Sequence, residues 1–165
     1  MGLKLHNPEN SVPMSVVVFF DLGDTLVIQQ LLGDGSLQRL AVLPFVPEVL
    51  NKLKRASTAA TPLRLGVISN TGTETLTKMR SVLADAELLG AFDPALLLFS
   101  SVEGIDKNQK QFFQLATQRA GVPAEHCVYV SESEAERQVA ASAKLRTSYH
   151  PLHVFHVIDL MMRGQ

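Results

Sequence analysis

Apolar residues recur along the chain in two patterns. The first is the short continuous run, seen at Val16–Phe20, Leu65–Ile68, Leu96–Phe99 and Cys127–Val130. Runs of this length, bounded by turn residues, read as strands buried on both faces of a parallel sheet. They predict strands at about 15–21, 64–69, 95–100 and 126–131, with a weaker one near 146–149. The second pattern is helical spacing. Leu76, Met79, Val82 and Leu83 share one face, as do Phe112, Phe113, Leu115 and Ala116, which predicts amphipathic helices. Pro47-Glu48 suits a helix start, Gly121 suits a helix end, a further helical stretch falls near 134–143, and a final element lies around 154–162. Strands alternating with helices predict an α/β, doubly wound, Rossmann-like parallel sheet with right-handed crossovers. Two stretches break the alternation. Residues 1–14 read as an irregular arm before a single domain at 15–165. Residues 26–44 carry the turn signal Gly33-Asp34-Gly35-Ser36 between apolar stretches, which predicts a short β-hairpin flap.

The polar residues that end the runs carry the candidate chemistry. The first run ends in Asp21-Leu22-Gly23-Asp24-Thr25, the second in Ser69-Asn70, and the fourth in Ser131-Glu132; Lys107 follows the third. Ligands of open α/β sheets bind at the carboxyl ends of the strands. Those ends supply a carboxylate, a hydroxyl with an amide, an ammonium and a second carboxylate. A carboxylate nucleophile, phosphate-oxygen donors and carboxylates for a cation make a phosphoryl-transfer site.

The order and the residues resemble the haloacid dehalogenase (HAD) superfamily, mostly phosphatases, over nearly all of the chain from Val16 to about Leu160. FFDLGDTL resembles the first motif of that family, and LGVISNTG the second. EGIDKNQKQFFQLATQRAGVPAEHCVYV resembles its segment around the third-motif lysine. The resemblance implies Mg²⁺-dependent hydrolysis of a phosphomonoester through an aspartyl-phosphate. Asp21 would be the nucleophile, Ser69, Asn70 and Lys107 would bind phosphate, and Asp21, the Gly23 carbonyl and Glu132 would hold the metal. Neither gap between the motifs can hold a cap domain. Capless members often act on large substrates, so the phosphorylated substrate is unidentified and open to being macromolecular.

Two positions depart from the family pattern. The residue two after the nucleophile is usually an aspartate acting as general acid and base; here it is Gly23, with Asp24 one place on as a candidate substitute. The fourth motif usually reads Gly-Asp-Ser, followed by another Asp. Here it is Ser131-Glu132-Ser133, with Glu134 and Glu136 behind it. Glu134 and Glu136 also read as first-turn helix residues favoured by the dipole. These departures support a second hypothesis, a catalytically impaired binding or regulatory protein on the same scaffold.

Composition narrows the setting. The 165 residues are 46% apolar and carry a net charge of −1, with no dense basic run. A protein that binds nucleic acid or an anionic membrane is thereby disfavoured. No apolar run approaches the ~20 residues of a membrane span. Cys127 is the only cysteine, which suits a reducing, cytoplasmic setting. Oligomerisation is left open.

Overall fold

The structure, a computed structural model, describes residues 13–165. Most of the expected N-terminal arm, residues 1–12, lies outside the described residues.

Strand β1 (Val16–Phe20) is buried along its whole length. Its side chains alternate between two cores, as a strand in a middle layer must. Val16, Val18 and Phe20 enter one core, and Val17 and Phe19 the other. Helix α1 (Val46–Ala56) leads from the flap to β4 (Leu63–Ser69), and α2 (Leu76–Asp85) leads on towards β5 (Leu97–Phe99). The short α3 (Ser100–Glu103) and α4 (Lys110–Ala120) then precede β6 (Cys127–Val130). Helix α5 (Glu134–Ser142), β7 (Arg146–Ser148) and α6 (Val154–Met162) complete the chain. The sheet order is β5-β4-β1-β6-β7, with every neighbouring pair parallel. The chain therefore winds outward from β1 to one edge and then resumes on the other side. β1 stands at the reversal, the crevice where such sheets bind ligands.

The helices divide between the faces. α1, α2 and α6 pack Leu50, Leu53, Met79, Leu83 and Val157 into the first core. α4 and α5 pack Phe112, Phe113, Ala116 and Ala140 into the second. Gly66 in the middle of β4 is required by space, because a Cβ there would lie 2.7 Å from the Leu96 carbonyl and 2.8 Å from the Phe19 ring.

The flap is a hairpin of β2 (Val27–Leu31) and β3 (Leu37–Val42). Some boundaries differ from the pattern in the sequence, each for a local reason. The expected strand at 95–100 begins with a 3₁₀ turn at Pro94–Leu96, where Asp93 accepts from Ala95 N at 2.9 Å. Helix α4 starts only at Lys110, because Asn108 N donates to the Asp106 carboxylate at 2.8 Å and Gln109 is extended. The α3 turn was not foreshadowed by apolar spacing, and Gly104 closes it with φ 67°.

Candidate active site

Asp21 directly follows β1, and its amide extends the sheet by donating to Val130 O at 2.9 Å. The side chain is thus fixed between β1 and β6. It is only 5% exposed. Its Oδ1 accepts from Leu22 N at 2.8 Å and from Lys107 Nζ at 2.7 Å. Oδ2 receives no hydrogen bond from a described residue. One oxygen is therefore anchored and the other is free to act.

Lys107 reaches Asp21 from the loop before α4, and its own position is set from β4. Asn70 Oδ1, just past β4, accepts from Lys107 N at 3.0 Å. The Lys107 ammonium is 4% exposed and meets a second carboxylate, Glu136 Oε2, at 2.9 Å. That same oxygen accepts from Tyr129 Oη at 2.9 Å and Ser131 Oγ at 3.0 Å. Ser69 ends β4 at the same sheet edge and is buried, its hydroxyl 3.5 Å from the Asn70 carbonyl.

Electrostatics follow from this packing. Burial pushes the Asp21 carboxyl up to about 6, although Lys107 pulls in the opposite direction; Glu136 adds to the rise. Burial, and then the charges of Asp21 and Glu136, hold the Tyr129 phenol well above its ordinary range. Tyr129 therefore stays protonated and remains a donor to Glu136.

Glu132 joins this cluster only at its rim, where the Ser131 hydroxyl lies 3.4 Å from its Oε2. It is exposed, and its Oε2 accepts from the buried Thr25 hydroxyl at 2.6 Å. Thr25 thus clasps the loop after β1 to the loop after β6. The nearby Arg137 guanidinium donates to the Ser131 carbonyl at 2.6 Å and the Glu132 carbonyl at 2.8 Å.

The structure joins Asp21, Asn70 and Lys107 in one hydrogen-bonded unit, while Ser69 and Glu132 flank it. Sequence reasoning underrated three members. Glu136 was visible only as a helix-start carboxylate, yet it stands in the first turn of α5, where its Oε2 meets Lys107. Thr25 was one of the polar residues ending the first run, with no role assigned to its hydroxyl. Tyr129 sits inside an apolar run, and nothing in the pattern marked its hydroxyl. Asp24 makes no ion pair or side-chain hydrogen bond with these residues. Its φ of 56° places it in the left-handed region, which aspartate visits only at some cost.

The oxygen donors near Asp21 are of the kind a hard cation takes. Asp21 Oδ2 is free, and the Gly23 carbonyl takes no hydrogen bond from a described residue. Glu132 offers a carboxylate already engaged by Thr25. Among the described residues, no three acidic, histidine or cysteine side chains gather closely enough to hold a metal by themselves. The set fits a cation held partly by backbone oxygen and water, as Mg²⁺ commonly is.

No family model and no curated protein matches the chain. Solved structures do. An uncharacterised protein from Listeria monocytogenes serotype 4b superposes with a TM-score of 0.72 at 16% identity, over 90% of this chain and 99% of that one. A HAD-superfamily hydrolase of subfamily IA from Geobacter sulfurreducens PCA gives 0.63 at 12% identity, over 86% and 98%. A HAD phosphatase from Thermococcus onnurineus gives 0.57 at 18% identity, over 72% of this chain and 59% of that one. The chain therefore has the fold of the HAD superfamily, as its motifs led one to expect. Identities this low speak to the fold, and the chemistry must be argued from the site. No helix among the described residues is long and apolar enough to cross a membrane.

Proposed function

We propose that the chain is a phosphomonoester hydrolase that works through an aspartyl-phosphate. The observation that carries this reading is the asymmetry of Asp21: Oδ1 is held by Lys107 and Leu22 N, while Oδ2 is free at the switch point of the sheet. A pre-oriented carboxylate beside a buried ammonium suits attack on phosphorus. Oδ2 would form the new P–O bond as the bond to the leaving oxygen breaks, the electron pair going to that oxygen. Lys107 and the Ser69 hydroxyl would steady the phosphoryl oxygens. Water would then attack phosphorus, returning the Asp21 carboxylate and releasing phosphate.

Charge balance favours a divalent cation in this reaction. Asp21, Glu132 and Glu136 face Lys107 and Arg137, which leaves the cluster one negative charge in excess before a phosphate dianion arrives. Mg²⁺ would neutralise that excess, held by Asp21, the Gly23 carbonyl and Glu132.

The decisive experiment is Mg²⁺-dependent turnover of 4-nitrophenyl phosphate, wild type beside Asp21→Asn. Wild-type turnover that requires Mg²⁺ and is abolished by Asp21→Asn is the expected result. Absence of turnover in the wild type, with beryllium trifluoride still bound, would favour the phosphate-binding, non-hydrolytic alternative that Gly23 suggests.

A further inference from the structure

Gly23 removes a carboxylate from the place where a leaving group would need a proton. Gln29 borders the space above it. A Cβ built on Gly23 would lie 3.5 Å from Gln29 Cδ, 3.6 Å from Oε1 and 3.8 Å from Nε2. Gln29 belongs to β2 of the flap, is exposed, and donates no side-chain hydrogen bond to another described residue. Its amide is therefore free to meet a ligand. Gln29 also lines a cleft of about 430 Å³ between the flap and the loop after β4, together with Asn70 and Thr71. Asn70, which lines the cleft, accepts from the Lys107 backbone amide through its Oδ1 at 3.0 Å, so the cleft borders the residue that positions Lys107.

We infer that Gln29 is the leaving-group residue of this site, its side-chain amide donating to the departing oxygen across Gly23. The inference rests on the phosphohydrolase reading above. An amide donates a hydrogen bond but transfers no proton at neutral pH. The bond to phosphorus breaks with its electron pair on the leaving oxygen, and that oxygen departs as an anion stabilised by Gln29 Nε2. Such a site favours weakly basic leaving groups, so the substrate class is the acyl or aryl phosphates rather than the alkyl phosphates. Among the described residues the cleft carries the carboxylates of Asp34 and Glu74 and neither lysine nor arginine. The organic part of the substrate is accordingly neutral or cationic.

Gly23 itself tolerates a side chain: its φ is not in the left-handed region, and the contacts to Gln29 are ordinary van der Waals distances. Its effect here is to leave room for the amide.

The test is a series of aryl phosphates of graded leaving-group pKa, with acetyl phosphate and ethyl phosphate at the extremes and Mg²⁺ present throughout. Wild type, Gln29→Met and Gln29→Glu are compared, and thermal melting checks that each variant folds. Methionine keeps the length and loses the donor. In Gln29→Met, kcat/KM for phenyl phosphate should fall about 3- to 10-fold, the worth of one neutral hydrogen bond. Acetyl phosphate should change less than twofold, so the dependence on leaving-group pKa steepens. Gln29→Glu should raise ethyl phosphate turnover at pH 5, where a fraction of the carboxyl is protonated, and lower it at pH 8. An unchanged slope in Gln29→Met, with the wild type active, would overturn the role of Gln29 alone. A wild type inactive on every phosphate would overturn the phosphohydrolase reading and this inference with it.

Discussion

The sheet edge and the flap meet where Gln29 approaches Gly23, but they are built on opposite principles. At the edge, Asp21, Lys107, Glu136, Tyr129 and Ser131 are buried or half-buried, and one carboxylate oxygen of Glu136 collects three donors. On the flap, Val27, Leu37 and Leu40 are buried against the core, while Ile28, Leu31 and Leu32 are 45–57% exposed. One side-chain hydrogen bond ties the flap to the loop after β4: Glu74 Oε1 accepts from Leu37 N at 2.8 Å. The edge holds charges that must not move, and the flap presents an uncharged donor that can adapt. Rigid support for reacting groups and a lighter element for the leaving group is the division expected when chemistry and selectivity are separately tuned.

The edge is most severely tested by removing its cation. Lys107→Met would leave Asp21 and Glu136 facing each other without a partner. Breaking a buried ion pair from one side costs about 3–5 kcal/mol, partly relieved here by protonation of Asp21. Melting temperature should fall by about 10 °C for a domain of this size, and turnover by about 10²–10³-fold. Acidification should narrow the stability gap, because a neutral Asp21 no longer repels Glu136. A variant melting within 2 °C of wild type would show that the edge is not the rigid half.

Removing the nucleophile should have a smaller effect on stability and the opposite sign. The Asp21 pKa is raised by burial from 3.8 to about 6. A raised carboxyl stabilises the fold fully below its unfolded pKa, and that contribution is lost as pH rises through the folded value. At neutral pH the ionised Asp21 is therefore a liability, on the order of 3 kcal/mol at most. Asp21→Asn should melt higher than wild type at pH 7.5, while Glu136 continues to partner Lys107. The advantage should shrink between pH 6 and pH 4. A constant difference across that range, measured by calorimetry, would mean that Asp21 is not held in a desolvated state.

This contrast also explains what the sequence made legible. Asp21, Ser69 and Glu132 could be placed at strand ends because a buried apolar run ending in a polar residue is a local pattern, whereas Lys107, eight residues beyond β5, was singled out by the resemblance of the segment around it. Val16–Phe20 followed by Asp21 fixes both the strand and the placement of the carboxylate. The flap was legible from Gly33, Asp34 and Gly35, which mark a hairpin turn. The second carboxylate on Lys107 was not. Glu136 sits where any helix start favours an acid, and only the packing of α5 against β6 turns it towards the ammonium. The hydroxyl of Tyr129 was hidden for a related reason, because a tyrosine inside a strand reads as apolar bulk until its partner is known. Gln29 lies on an exposed strand with no periodic signal, and its approach to Gly23 depends on how the hairpin folds back.

The gentlest test addresses the flap's tether. Glu74→Ala deletes the acceptor of Leu37 N and leaves the apolar footing of Val27, Leu37 and Leu40 in place. The lost hydrogen bond is worth about 1 kcal/mol, so melting should fall by only about 2–4 °C. The more telling readout is amide hydrogen exchange. The Leu37 amide loses its acceptor and should exchange about fivefold faster or more, the factor that 1 kcal/mol represents. The Asp21 amide, bonded to Val130 O at 2.9 Å within the sheet, should keep its protection. If both amides accelerated together, the flap and the edge would open as one cooperative unit, and the separation argued here between a fixed reacting centre and an adaptable leaving-group element would fail. If only Leu37 responds, the flap moves independently of the charges it covers, which is what an element that accommodates varied leaving groups requires.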